Sequence, residues 1–247
     1  MNNDWQDRLC AYAGMAFPLV FFVGWGLVAG YLLPLHGPGD TPLQVQAFYE
    51  DHTTLIQVGI IITIAAGALQ APFSAGIGMQ MMRMNGGRRS PLAYTQMMLG
   101  AVNVLLVVIP MFVYAALAFR PAQRNPDTMQ FFSDFGWQMF IGAFSPAVLQ
   151  AICLALAVFG DKGTTPVMPR WVGYFNAWVA TLFLPGAIVI IAHSGPFAWN
   201  GVLAFWIPAV VFGSWFNVMA VVLLKCIKQQ RAEAEAVGAT ADGLQPA

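Results

Sequence analysis

Six long stretches of the chain contain almost only apolar residues, and polar clusters separate them. The stretches cover residues 9–33, 55–82, 92–119, 137–159, 171–193 and 202–227. None contains Asp or Glu, and the single basic residue, Lys225, lies in the last turn of the sixth. A hydrocarbon core of about 30 Å requires roughly 20 apolar residues in a helix. The pattern therefore predicts an all-α polytopic bundle of six transmembrane helices.

A proline lies within every predicted span. The six are Pro18, Pro72, Pro110, Pro146, Pro185 and Pro208. Each removes a backbone hydrogen bond and clashes with the preceding turn of the helix. The carbonyls that this frees must find partners on neighbouring helices or in a water-filled cavity. We therefore expect six kinked helices; an internal cavity is one consequence, and the tolerance of transmembrane helices for proline is the alternative explanation.

Two short amphipathic helices are predicted in the first two loops on the outer side. Thr41 and Gln44 have the spacing of a capping box, with Pro42 at the first helical position. Asn125 and Pro126 provide a similar start in the second loop.

Composition agrees with a membrane environment. The chain is 58% hydrophobic and 9% charged, whereas soluble domains are about 25% charged. The formal net charge is zero, so no basic field attracts nucleic acid. The three cysteines, Cys10, Cys153 and Cys226, show no metal-binding spacing and no disulfide framework.

Basic residues predict the orientation of the chain, because Lys and Arg are retained on the cytoplasmic side. Nine of the 11 lie before the first span, in the last turn of the sixth or after it, or in the loops that follow the second and fourth. Only Arg120 and Arg124 lie on the other side. Both termini are therefore predicted to be cytoplasmic. Residues 1–228 form the predicted membrane domain, and residues 229–247 a cytoplasmic tail that begins as a helix and ends disordered.

Uncharged polar residues within the spans are the candidates for a binding pocket. The candidates are Gln70, Asn103, Gln150, Asn176 and Asn217. An unpaired amide in hydrocarbon costs several kcal/mol, so these side chains must face other helices or water. Gln70, Asn103 and Gln150 lie deepest. The alternative role is hydrogen bonding between helices, without a ligand.

A second candidate site lies on the outer side. Glu50, Asp51 and His52 are adjacent on the first outer helix, and Asp134 has a similar place in the second. They form a candidate polar cluster for acid–base chemistry, and a solvated interfacial surface is the alternative. The spans contain no charged proton relay. The sequence assigns no catalytic residue, metal ligand or cofactor site.

Several segments resemble a group of bacterial six-pass inner-membrane proteins of about 240 residues that has no assigned activity. The resemblance rests on residues 48–52 (FYEDH), 90–96 (SPLAYTQ), 169–178 (PRWVGYFNAW), 183–186 (FLPG) and 195–201 (GPFAWNG). It implies a bacterial inner-membrane location and transfers no functional residue.

Three functional hypotheses follow. The first is a protein that binds or translocates a hydrophobic small molecule or lipid, since 13 methionines and 19 phenylalanines suit an adaptable apolar pocket. The second is a membrane enzyme with its site around Glu50, Asp51 and His52. The third is an accessory subunit that a membrane-complex partner or a second copy of the chain holds in place.

Overall fold

The computed structural model describes residues 4–33 and 35–242, and this part of the chain is helical with no β-strand. The described residues form nine α-helices: α1 (Asp4–Phe21), α2 (Pro42–Asp51), α3 (Thr53–Gly67), α4 (Gln70–Met84), α5 (Pro91–Phe119), α6 (Pro126–Gly142), α7 (Ser145–Gly160), α8 (Arg170–Phe183) and α9 (Ile207–Asp242).

These elements form six helical segments long and apolar enough to cross a membrane. They are Trp5–Val28, Thr53–Met84, Pro91–Phe119, Pro126–Gly160, Arg170–Ile190 and Val202–Ala236. The predicted all-α polytopic bundle is therefore confirmed, and the chain is a multi-pass membrane protein. The fourth segment begins eleven residues before the predicted start at Trp137.

Five of the six spans change helical geometry close to their proline. The first continues as a π-helix over Phe22–Val28, and a π-helix over Val202–Trp206 precedes Pro208 in the sixth. The second breaks between α3 and α4, and the fourth breaks between α6 and α7. The fifth becomes a 3₁₀-helix over Leu184–Ile190. The third span consists of a single α-helix, α5, which continues through Pro110 without a change of geometry.

The first outer helix, α2, forms as predicted. The Thr41 side chain accepts from the Gln44 backbone N–H, and Gln44 Oε1 accepts from the Thr41 N–H at 2.8 Å. The second does not form as a separate helix. Asn125 caps α6 by accepting from the Asp127 N–H at 2.8 Å, but α6 then continues to Gly142 because no proline interrupts its backbone hydrogen bonds.

The helices pack as a closed bundle with apolar side chains outward. The first span packs against the second and sixth, the third contacts the second and fourth, and the fifth packs mainly on the fourth. At the end that holds most basic residues, Arg83 pairs with Glu233 at 2.7 Å and donates to the Cys226 carbonyl at 3.3 Å. The helical start of the tail is part of α9; the expected disordered end, residues 243–247, lies outside the described residues.

Candidate functional site: a cavity inside the bundle

A cavity of about 170 Å³ lies in the middle of the bundle, and every span contributes to its wall. The wall is mainly apolar and rich in aromatic side chains. Its ten rings belong to Phe21, Phe22, Trp25, Phe140, Phe144, Phe183, Phe205, Phe212, Trp215 and Phe216. Among the described residues, no charged side chain lines this space.

The breaks in the helices account for the position of the cavity. Residues at or beside all five breaks line it: Phe22, Gln70, Phe144, Phe183 and Phe205. A helix that changes geometry leaves its ideal path, so its side chains no longer fill the space that a straight helix would fill. Five such changes around one space leave a cavity that the aromatic rings enclose incompletely. This relation favours the cavity explanation of the prolines over simple tolerance.

One side of the cavity is polar. Gln70, Asn103 and Gln150 come from three different spans and all line the same space. The Asn103 carboxamide donates to Gln150 Oε1 at 2.8 Å. The Gln70 amide reaches only the Gly67 carbonyl of its own span, at 3.5 Å, which is at the limit for a hydrogen bond. The three deepest predicted amides thus line one cavity, and Gln70 is the one with the weakest protein partner.

A second layer of polar groups supports Gln150 from behind. Its amide donates to the Gln96 carbonyl at 3.3 Å and reaches Ser74 Oγ at 3.5 Å. Gln96 itself donates to Ser74 Oγ at 3.1 Å. Gly100 makes this arrangement possible, because a Cβ there would collide with Ser74 Oγ. The network holds α4, α5 and α7 together beside the cavity.

The two remaining candidates do not line the cavity. Asn176 is fully buried and accepts from Trp215 Nε1 at 2.8 Å, so it supports a ring of the cavity wall from behind. Asn217 is exposed, donates to the Gly213 carbonyl of its own helix at 2.8 Å and lines a groove on the outside of the bundle. Residue type alone does not distinguish these two positions in the sequence.

The members of the candidate outer cluster lie on or beside two helices, α2 and α6, that pack against each other. Glu50, Asp51 and His52 are exposed, and His52 Nδ1 lies 3.3 Å from the Phe48 carbonyl. Within the described part of the chain, no hydrogen bond or ion pair joins these three residues to Asp134. Asp134 instead lies within electrostatic range of His193 and Asp40.

A different set of residues connects the outer loops. His36 Nδ1 pairs with Asp40 at 2.7 Å, and the Asp40 carbonyl accepts from Gln130 of α6 at 2.7 Å. Trp199 of the third outer loop donates to the His36 carbonyl at 3.2 Å. Sequence reasoning did not select His36, Asp40 or Gln130, because only the folded loops bring them together.

An aromatic column extends from the cavity towards these loops. Trp25 stacks on Phe21 at 5.7 Å and on Tyr31 at 5.9 Å between ring centres. Trp137 packs edge-on against Trp25 at 5.8 Å. The indole N–H of Trp25 is buried and has no hydrogen-bond partner within the described residues. Aromatic residues occur throughout the spans, so no sequence signal marked these as part of a cavity wall.

Comparison of the chain with protein-family models, with curated proteins and with solved structures finds no match. The class of the protein therefore follows from its own structure. It is a multi-pass membrane protein whose bundle encloses an aromatic cavity with one amide-lined side.

Proposed function

We propose that this protein binds a neutral, hydrophobic, ring-containing small molecule or lipid inside the bilayer. The observation that carries the proposal is the aromatic cavity with Gln70, Asn103 and Gln150 on one side. Aromatic walls bind flat apolar groups by offset or edge-on packing. Primary amides donate to a carbonyl and accept from a hydroxyl, so they suit one polar group on such a ligand.

The chemistry of the wall argues for a ligand without charge. An ion in a site of low dielectric needs an opposite charge or many hydrogen bonds. None of the described lining residues is charged. The volume of about 170 Å³ is close to that of an apolar protein cavity of about 150 Å³ that binds benzene. A ring with a short substituent fits this space, and a longer ligand would place its ring there.

The test uses two matched probes in lipid nanodiscs. 4-Propylphenol carries one hydroxyl, and 4-propyltoluene has a methyl group in its place. Calorimetric titration, corrected with empty nanodiscs, should give a preference for the phenol of about ten-fold, since one hydrogen bond is worth about 1.4 kcal/mol. In Gln70→Leu, which removes the lining amide with the weakest protein partner, the preference should disappear while the toluene binds as before.

Two variants complete the experiment. Ala147→Trp fills the cavity, because Ala147 lines it, and should abolish binding of both probes. Gln57→Leu is the matched control, since Gln57 donates to the Ala118 carbonyl at 2.9 Å and does not line the cavity; its probe preference should equal that of the native protein. The proposal would be contradicted if the native protein bound both probes with equal affinity and Ala147→Trp bound them as well as the native protein does. Native mass spectrometry of gently purified protein should also show a neutral bound molecule.

We also propose that the protein lies in a bacterial inner membrane with both termini in the cytoplasm. Nine of its 11 Lys and Arg residues support this orientation, and the resemblance noted in the sequence supports the location. Phosphatase fusions should be inactive after Arg88 and active after Arg124. The reverse result would contradict the orientation and leave the cavity unaffected.

A further inference from the structure

A groove on the outside of the bundle lies next to the cavity. It runs between the first and sixth spans and exposes apolar residues such as Val210 and Trp206 to the surrounding lipid. Phe22 and Ala209 line both the groove and the cavity. A single layer of side chains therefore separates the interior space from the membrane at this point.

The backbone is irregular on both sides of this layer. Phe22 is the first residue of the π-helix in the first span, and the π-helix Val202–Trp206 ends three residues before Ala209. Short π-helical turns are rare within α-helices and are frequent at functional sites. Here, two of them lie beside the same seam.

The Phe22 ring closes the seam by packing against Gly213, which has no side chain. A Cβ on Gly213 would lie 3.3 Å from Phe22 Cε2, so the glycine provides the space that the ring occupies. Phe22 is partly exposed, whereas its neighbour Phe21 is buried. Its remaining ring contacts are edge-on, with Phe21 at 5.2 Å and Phe212 at 6.5 Å. A rotation of this one side chain would connect the groove with the cavity.

We infer that the ligand reaches the cavity directly from the bilayer, through the seam between the first and sixth spans, and that the Phe22 side chain must rotate to let it pass. This inference rests on the proposed function. A hydrophobic molecule is concentrated in lipid by the same apolar burial that makes it bind. The occupant of the groove is accordingly the ring-containing ligand on its way between membrane and cavity.

The experiment measures rates as well as affinities. The probe is 4-bromophenol, whose bromine quenches Trp25 and Trp215 in the cavity wall. The background protein carries Phe in place of Trp206 of the groove and of the other exposed tryptophans, Trp5, Trp171 and Trp178. Stopped-flow mixing with probe-loaded nanodiscs gives the rate of quenching, and equilibrium quenching gives Kd. Gly213→Leu should slow association and dissociation equally, by about ten-fold, because Gly213 does not line the cavity. Its Kd should therefore stay within about two-fold of the parent value.

Two further variants keep the result interpretable. Gly213→Ala adds one methyl group beside a ring that can shift, and should give a smaller slowing in a protein that folds normally. Val23→Ala truncates a lipid-facing side chain outside both groove and cavity and should leave both rates unchanged. If the Gly213 variants bind the probe with unaltered rates, the inferred entry route between the first and sixth spans is wrong. Absence of probe binding in the parent protein overturns the proposed function instead.

Discussion

The carboxamide of Asn103 donates a 2.8 Å hydrogen bond to Gln150 Oε1 across the third and fourth spans. Both residues line the cavity. Gln150 uses its own amide N–H groups on the Gln96 carbonyl and Ser74 Oγ. Its oxygen is therefore fixed towards Asn103, and the polar side of the cavity has a defined arrangement before any ligand arrives. Such preorganisation reduces the entropy that a ligand must lose on binding.

A double-mutant cycle should measure this bond. Asn103→Leu and Gln150→Leu should each destabilise the protein, and the double variant should lose less than the sum, with a coupling of about 0.6–1.7 kcal/mol. The measurement is the free energy of unfolding in mixed micelles. The Gln57→Leu variant, whose bond to the Ala118 carbonyl is separate, should be additive with Asn103→Leu. If the stability losses of Asn103→Leu and Gln150→Leu were simply additive, the hydrogen bond between them would contribute nothing to stability.

The close approach at Gly100 gives a second prediction. Gly100→Ala should destabilise the protein by about 1–3 kcal/mol, because overpacking forces neighbours apart and the new Cβ would meet Ser74 Oγ and lie 3.1 Å from Gln150 Nε2. The same variant should weaken binding of 4-propylphenol. Gly160→Ala is the control: no atom lies within 4 Å of a Cβ at that position, and its midpoint of thermal unfolding should stay near the native value.

Asn176 and Asn217 should respond differently to the same substitution. Asn176→Leu leaves the buried Trp215 N–H without its acceptor, which costs about 1–3 kcal/mol. Asn217→Leu removes only a bond to its own helix at an exposed position, so the change should be within about 0.5 kcal/mol. Thermal unfolding in one detergent compares the two. Equal losses would contradict the packing of the sixth span described here.

Depth within a span indicated the polar side of the cavity but did not by itself separate the candidates. Gln70, Asn103 and Gln150 lie near the middle of their spans, where an amide needs a partner from another helix or a polar space. Asn176 lies close to the start of its span, whereas Asn217 is as close to the middle of its span as Asn103 is, and the rotation of the helix leaves it exposed. That rotation depends on packing between spans, for which a single sequence of mostly apolar residues gives little indication.

Local rules predicted the helix starts, and tertiary packing decided the rest. The Thr41 capping box and the Asn125 cap formed because each needs only neighbouring residues. The grouping of His36, Asp40 and Gln130 required the first loop to pack against α6. The prolines indicated where helices would bend, but not that the bends would surround one cavity or that two would become π-helical.

Two buried tyrosines beyond the end of the first span should make stability depend on pH in alkaline solution. Tyr31 donates to the Tyr49 hydroxyl at 3.0 Å, and both rings are almost fully buried. Burial raises the pKa of Tyr31 well above its ordinary value, and the Tyr49 hydroxyl nearby adds to this. Burial also raises the pKa of Tyr49, although the hydrogen bonds with Tyr31 and Ser133 oppose part of the increase.

The direction of the effect follows from proton binding. Above a pH of about 10 the unfolded tyrosines lose their protons while the folded ones keep them, so the unfolded state binds fewer protons and stability falls as pH rises. Each tyrosine should contribute a loss of about 1.4 kcal/mol per pH unit in this range.

Tyr31→Phe should reduce the slope of unfolding free energy against pH by about one such increment. It should also lower the free energy of unfolding at neutral pH by about 1 kcal/mol, because the hydrogen bond is lost. Phe48→Leu is the control, because Phe48 packs on both rings and has no ionisable group; it should lower the whole curve and keep its slope. An unchanged slope in Tyr31→Phe would show that this hydroxyl ionises as readily in the folded protein as in the unfolded chain.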